Sequence, residues 1–128
     1  MTKFLMPLLG DKRCIASGTL GDRHFISMWD TIEQVGMVKY AFLLGVFEIA
    51  TLKPVYFVAS ETSAIFGDFS EAPHFLCVYD GESHGNCGAS DDWKDAEKFF
   101  AEAFRIVSGR FGGPVHGVSR YVGVDTGI

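Results

Sequence analysis

The chain has 128 residues, 48% of them hydrophobic and 14% aromatic, and its 11 basic and 16 acidic side chains give a formal charge of −5. That is apolar material for one globular core burying about two thirds of the surface of the extended chain, and it excludes intrinsic disorder. Three cysteines are too few for a disulfide scaffold, and the 15 glycines have no collagen-like period.

At the N-terminus, Phe4 to Leu9 stand between Lys3 and Gly10, a shorter stretch than the roughly 7–15 apolar residues of a secretory core. The longest apolar run, Tyr40 to Phe47, falls well below the roughly 20 residues that cross a bilayer. The expectation is a cytoplasmic chain, off the membrane, with reduced thiols. Residues 13–29 read as a hairpin around Leu20-Gly21-Asp22-Arg23, with Gly21-Asp22 as a two-residue loop. That loop pairs Cys14 with Trp29, Ala16 with Ser27 and Gly18 with Phe25. Asp30-Thr-Ile-Glu33 then has the form of a capping box, which predicts a short helix over 31–37.

Val38 to Ala50 is apolar at both parities, the pattern of a strand buried on both faces or of a buried helix. The turn signal Lys53-Pro54 and the β-prone Val55-Tyr-Phe-Val58 favour a strand over 39–49. Residues 60–73 read as a connection in which Ala64 to Gly67 docks into the core. A strand over His74 to Tyr79, a turn at Asp80-Gly81 and a returning strand over Glu82 to Cys87 follow. Trp93, Ala96, Phe100, Ala103 and Val107 recur at helical spacing from Asp91 to Ser108, with Ser90 as the cap and Gly109 as the stop.

These elements predict an α+β domain over residues 1–113 in the order β-β-α-β-β-β-β-α. Its antiparallel sheet is built from hairpins, with a short helix after the first and a long C-terminal helix packed on one face. Residues 114–128 are a Gly-containing tail or an added edge strand through Val118 to Val124.

The charge is unevenly laid out. Residues 24–92 carry two basic and ten acidic side chains, and no Lys or Arg lies between Lys53 and Lys94. A surface built from that stretch repels phosphate backbones, which argues against nucleic acid and for a basic protein partner. Glu61, Asp68, Glu71, Asp80 and Glu82 are its candidate residues.

His74-Phe-Leu-Cys77 and His84-Gly-Asn-Cys87 together offer the two His and two Cys of a tetrahedral zinc site. An Asp80-Gly81 loop sets Cys77 opposite His84 and His74 opposite Cys87. The two pairs then lie an odd number of residues apart and project from opposite faces, so no metal is assigned. A nucleophilic cysteine needs a lowered pKa, and the surrounding acids act the other way. Cys77, between Leu76 and Val78, is read as core. No Walker A or Rossmann glycine pattern occurs, so no cofactor is assigned. His24 and His116 have no identifiable partner and are read as surface or turn residues.

The aromatic residues exceed what a two-layer domain of this size hides, so some are expected at an interface or in a pocket. The leading expectation is a non-catalytic protein-interaction or regulatory module, homodimeric and acidic in its binding surface, of which an inhibitor- or immunity-like protein is one concrete version. The alternative is a small-ligand sensor or weak enzyme with a pocket near His74, Cys77, His84 and Cys87.

Overall fold

The computed structural model describes residues 14–30, 34, 36–67, 71–81 and 83–120. Seven strands form one antiparallel sheet: β1 (Cys14–Leu20), β2 (His24–Asp30), β3 (Val38–Glu48), β4 (Pro54–Ser63), β5 (Phe75–Asp80), β6 (Ser83–Ala89) and β7 (Val115–Arg120). The sheet order is β6-β5-β4-β3-β2-β1-β7, curved into a half-barrel. Strands 1 to 6 are a simple meander. The single helix α1 (Ala96–Phe111) then carries the chain from the β6 edge to the opposite edge, where β7 pairs with β1. Among the described residues no helix is long and apolar enough to cross a membrane.

Val38–Glu48 is a strand, and the reason for its unbroken apolar pattern is that β3 lies in mid-sheet and is buried on both faces. One core cluster joins Ile26, Leu44, Val46, Val58 and Leu76 to Phe99, Phe100, Ala103 and Val107 of α1. A second, on the other face, joins Trp29, Leu43, Phe47, Phe57 and Cys77. Two clusters on two faces account for the surplus of aromatics.

α1 starts later than its spacing predicts. Ser90 caps a 3-10 turn over Asp91–Lys94, accepting from the Asp92 amide, and Asp95 caps α1 itself, accepting from the Lys98 amide at 3.0 Å. The helix ends at Gly112, in the left-handed conformation with φ 71°, rather than at Gly109. Gly113 is then pressed against the first hairpin. A Cβ there would stand 2.7 Å from the Gly21 Cα, and the Gly21 amide donates to the Pro114 carbonyl at 3.1 Å.

Several expected details change. The first hairpin closes with three residues, Gly21 to Arg23, because Leu20 pairs with His24; an irregularity between Cys14 and Ala16 then lets Cys14 still face Trp29. Ala16 consequently faces Met28 and Gly18 faces Ile26. The expected helix over 31–37 falls partly on residues 31–33 and 35, which lie outside the described ones; Gly36 and Met37 form a turn with Gly36 at φ 61°, and α1 is the one α-helix among the described residues. Ala64–Phe66 is a 3-10 turn that does not dock into the core, since Ile65 is 73% and Phe66 46% exposed. The edge strand begins at Val115, earlier than expected. His24 stacks on Phe111 at 4.6 Å, and the His116 ring is hydrogen-bonded to Thr19 Oγ1.

Candidate functional site

The sheet face away from α1 is apolar along most of its length and becomes polar at one end. A register shift between Tyr40 and Phe42 makes Ala41 an extra residue and sets Tyr40 opposite Glu61. Glu61 in turn faces Phe75, Ala59 faces Cys77 and Phe57 faces Tyr79. By the two-residue period of a strand, Glu61, Cys77 and Tyr79 share that face with Tyr40.

Tyr79 Oη donates to Glu61 Oε2 at 2.7 Å, a buried hydrogen bond. Tyr40 and the Cys77 thiol belong to the same buried cluster and lie within reach of the Glu61 charge. Burial, reinforced by the Glu61 charge, pushes Tyr40, Cys77 and Tyr79 far above their ordinary pKa values. All three therefore stay protonated at neutral pH, with Tyr79 the donor to the carboxylate. A thiol held in that state is a poor nucleophile, so the weak-enzyme expectation gains no support here.

Glu61 is only 8% exposed. A buried carboxylate is normally paired with a cation, yet among the described residues none forms an ion pair with it. It lines a pocket of about 170 Å³ whose other walls include Val38, Ser63, Phe75, Cys77 and Asn86. Met37, which precedes β3, also lines the pocket and is 56% exposed. Exposed Ile65 and Phe66 follow Ser63, the residue paired with Val38. Lys39 Nζ donates to the Gly67 carbonyl at 3.3 Å, tying that turn to β3.

The other expected surface residues are dispersed. Glu71 is exposed in the loop before β5. Asp80 lies at the far end of β5, where the Arg110 Nε donates to its Oδ2 at 3.0 Å. Asp68 and Glu82 lie outside the described residues. Glu61 itself is inside the fold rather than on a surface.

The expected pocket residues are also rearranged. Asp80 pairs with Ser83 and does not belong to the turn, so Cys77 faces Asn86 and His84 stands opposite Tyr79. The expected Cys77–His84 and His74–Cys87 pairs do not form. His74 is buried ahead of β5 with its carbonyl accepting from the Ser90 amide, and Cys87 is exposed on β6. Cys77 lines the Glu61 pocket. Among the described residues no group of three or more His, Cys, Asp and Glu is placed to hold a metal ion.

Tyr40 and Tyr79 escaped sequence reading as site residues. The usable signal was Glu61: Phe57, Ala59 and Glu61 alternate along β4, which sets a charge on an otherwise apolar face. A second opening, about 330 Å³ and apolar, lies between α1 and the β1 side of the sheet, lined by Ile15, Met28, Phe100, Phe104 and Val118.

Compared with family models, curated proteins and solved structures, the chain has no match.

Proposed function

We propose that the protein is a non-catalytic interaction module that binds a basic protein partner at the β3–β4 end of the sheet. The observation that carries this reading is the buried Glu61 carboxylate, without a described cation, in the wall of a pocket that exposed Met37 also lines, with exposed Ile65 and Phe66 in the turn that follows β4. A charged pair whose surrounding contacts exclude water is strengthened by that exclusion, and such desolvated pairs are among the anchors of interaction hot spots. The acidity of residues 54–93, which contain no Lys or Arg, adds long-range attraction for a basic partner. An inhibitor- or immunity-like role is the concrete form of this proposal.

The test is quantitative capture from the native cell with the wild-type chain, Glu61→Gln, Phe66→Ser and Asp80→Asn. The expected result is a basic protein held by the wild type and by Asp80→Asn, and lost from the other two. Equal capture by all four proteins overturns the reading.

A further inference from the structure

Resting on that reading, we propose that the Glu61 pocket is a lysine seat: it takes one primary ammonium of the protein partner, at the end of its alkyl stem, in preference to a guanidinium. A buried carboxylate is costly unless a cation or several donors satisfy it. Here Tyr79 Oη engages Oε2, so part of the carboxylate is already committed. An arginine binds a carboxylate best as a fork, with two parallel N–H donors meeting both oxygens. With Oε2 occupied by Tyr79, that geometry is obstructed. An ammonium is a compact point charge needing one carboxylate oxygen and separate acceptors for its other protons.

The walls suit those needs. Ser63 and Asn86 line the same pocket and carry neutral side-chain oxygens. The Asn86 oxygen already accepts from the Gly88 amide at 2.7 Å, which fixes its orientation. Val38 and Phe75 supply apolar wall for an alkyl stem, and an aromatic ring beside a cation adds attraction. The volume of about 170 Å³ admits the end of one side chain and little more. Lys39, next to Tyr40 on β3, donates its ammonium to the Gly67 carbonyl.

The experiment is a nuclear magnetic resonance titration of the full chain, following the amides of Phe75, Tyr79 and Asn86. Three probes are compared: a blocked peptide with one central lysine, its arginine counterpart, and n-butylammonium. The lysine peptide is expected to bind at least about fivefold tighter than the arginine peptide. Glu61→Gln, with its fold checked by thermal melting, should weaken lysine binding about tenfold or more, the scale of a lost charged hydrogen bond. Tyr79→Phe releases Oε2 and should narrow the preference for lysine over arginine.

Equal or tighter arginine binding overturns the lysine seat while leaving the basic-partner reading intact. Unchanged lysine binding by Glu61→Gln overturns it as well. Shifts with n-butylammonium but with neither peptide uphold an ammonium pocket and overturn the partner reading. No response to any probe overturns the seat, with the partner reading then decided by the capture experiment.

Discussion

The two faces of the sheet are equally apolar in pattern and different in how they are completed. On one, Phe42, Leu44, Val46 and Val58 meet α1, with Phe42 and Phe99 rings 5.7 Å apart and Phe99 and Phe100 5.0 Å apart. Two of its polar members find partners within the fold: Ser60 donates to the Trp93 carbonyl, and Asp80 at the rim is paired with Arg110, while the buried Thr62 hydroxyl has none. The other face begins the same way, with Phe25 and Phe47 stacked at 5.1 Å, then turns to Tyr40, Glu61, Cys77 and Tyr79. The first face pairs its one rim carboxylate, Asp80, from within the fold. The second leaves a carboxylate whose natural counterpart is absent from the described residues, and chemistry is to be sought there.

The sharpest way to break this comparison is to truncate each face. Phe99 is fully buried at the centre of the α1 side. Phe99→Ala should cost about 3–5 kcal/mol, read as a lower denaturant midpoint at unchanged slope. Glu61→Gln keeps the size of the side chain and an acceptor for Tyr79, and should move stability by less than about 1 kcal/mol. A loss at Glu61 as large as that at Phe99 would make the polar end structural.

Next in size is Gly113→Ala. The added methyl would meet Gly21 backbone at 2.7 Å, with nothing flexible to give way. Overpacking of this kind costs about 1–3 kcal/mol, and it should loosen the passage from α1 into β7. Hydrogen exchange at Val115 and Leu20 measures it. Gly112→Ala is the companion control, since its cost comes from the left-handed φ of 71° and not from a clash.

How much of this was legible before the structure depends on which physical term set each feature. The stripe Phe100, Ala103 and Val107 follows from hydrophobic periodicity, and β3 and β4 from a turn signal and β-prone composition, all properties of single segments. Register is a property of pairs, and turn length sets it. Reading Gly21-Asp22 and Asp80-Gly81 as complete loops was enough to put Gly18 against Phe25 and Cys77 against His84, whereas Ile26 and Asn86 stand there. The helix stop moved from Gly109 to Gly112 because the last turn carries partly buried Phe111, which packs on Tyr56 at 5.5 Å. The polar end was out of reach for a related reason. Glu61 meets Tyr40 only through the extra residue at Ala41, and nothing in the local sequence marks that bulge.

The third prediction separates the faces by pH. Tyr40, Cys77 and Tyr79 all have raised pKa values in the fold, chiefly through burial. Above the unfolded values of roughly 8.5 for Cys and 10 for Tyr, the unfolded chain releases protons that the folded chain retains. Stability therefore falls as pH rises past them, by up to about 1.4 kcal/mol per pH unit for each group. Tyr79→Phe should flatten that alkaline decline, although Tyr56 on the α1 face, also raised by burial and by Asp80, leaves a remainder. The thiols report the same contrast at neutral pH: iodoacetamide should modify exposed Cys87 in the native protein and buried Cys77 only on unfolding.

The smallest expected effect lies at the rim of the helix face. Arg110 approaches Asp80 at 3.0 Å and stands 5.1 Å from the Phe111 ring and 5.9 Å from that of Tyr56. Both partners of the ion pair are close to half exposed, so solvent and salt screen it. Asp80→Asn should cost about 0.2–1 kcal/mol, diminishing further at high salt. Arg110→Ala should cost somewhat more, because the guanidinium also covers two rings. The order of the two variants is the informative result. If Asp80→Asn is the costlier, the ion pair rather than ring packing closes this rim, and the α1 face then depends on charge in the way argued for the Glu61 end alone.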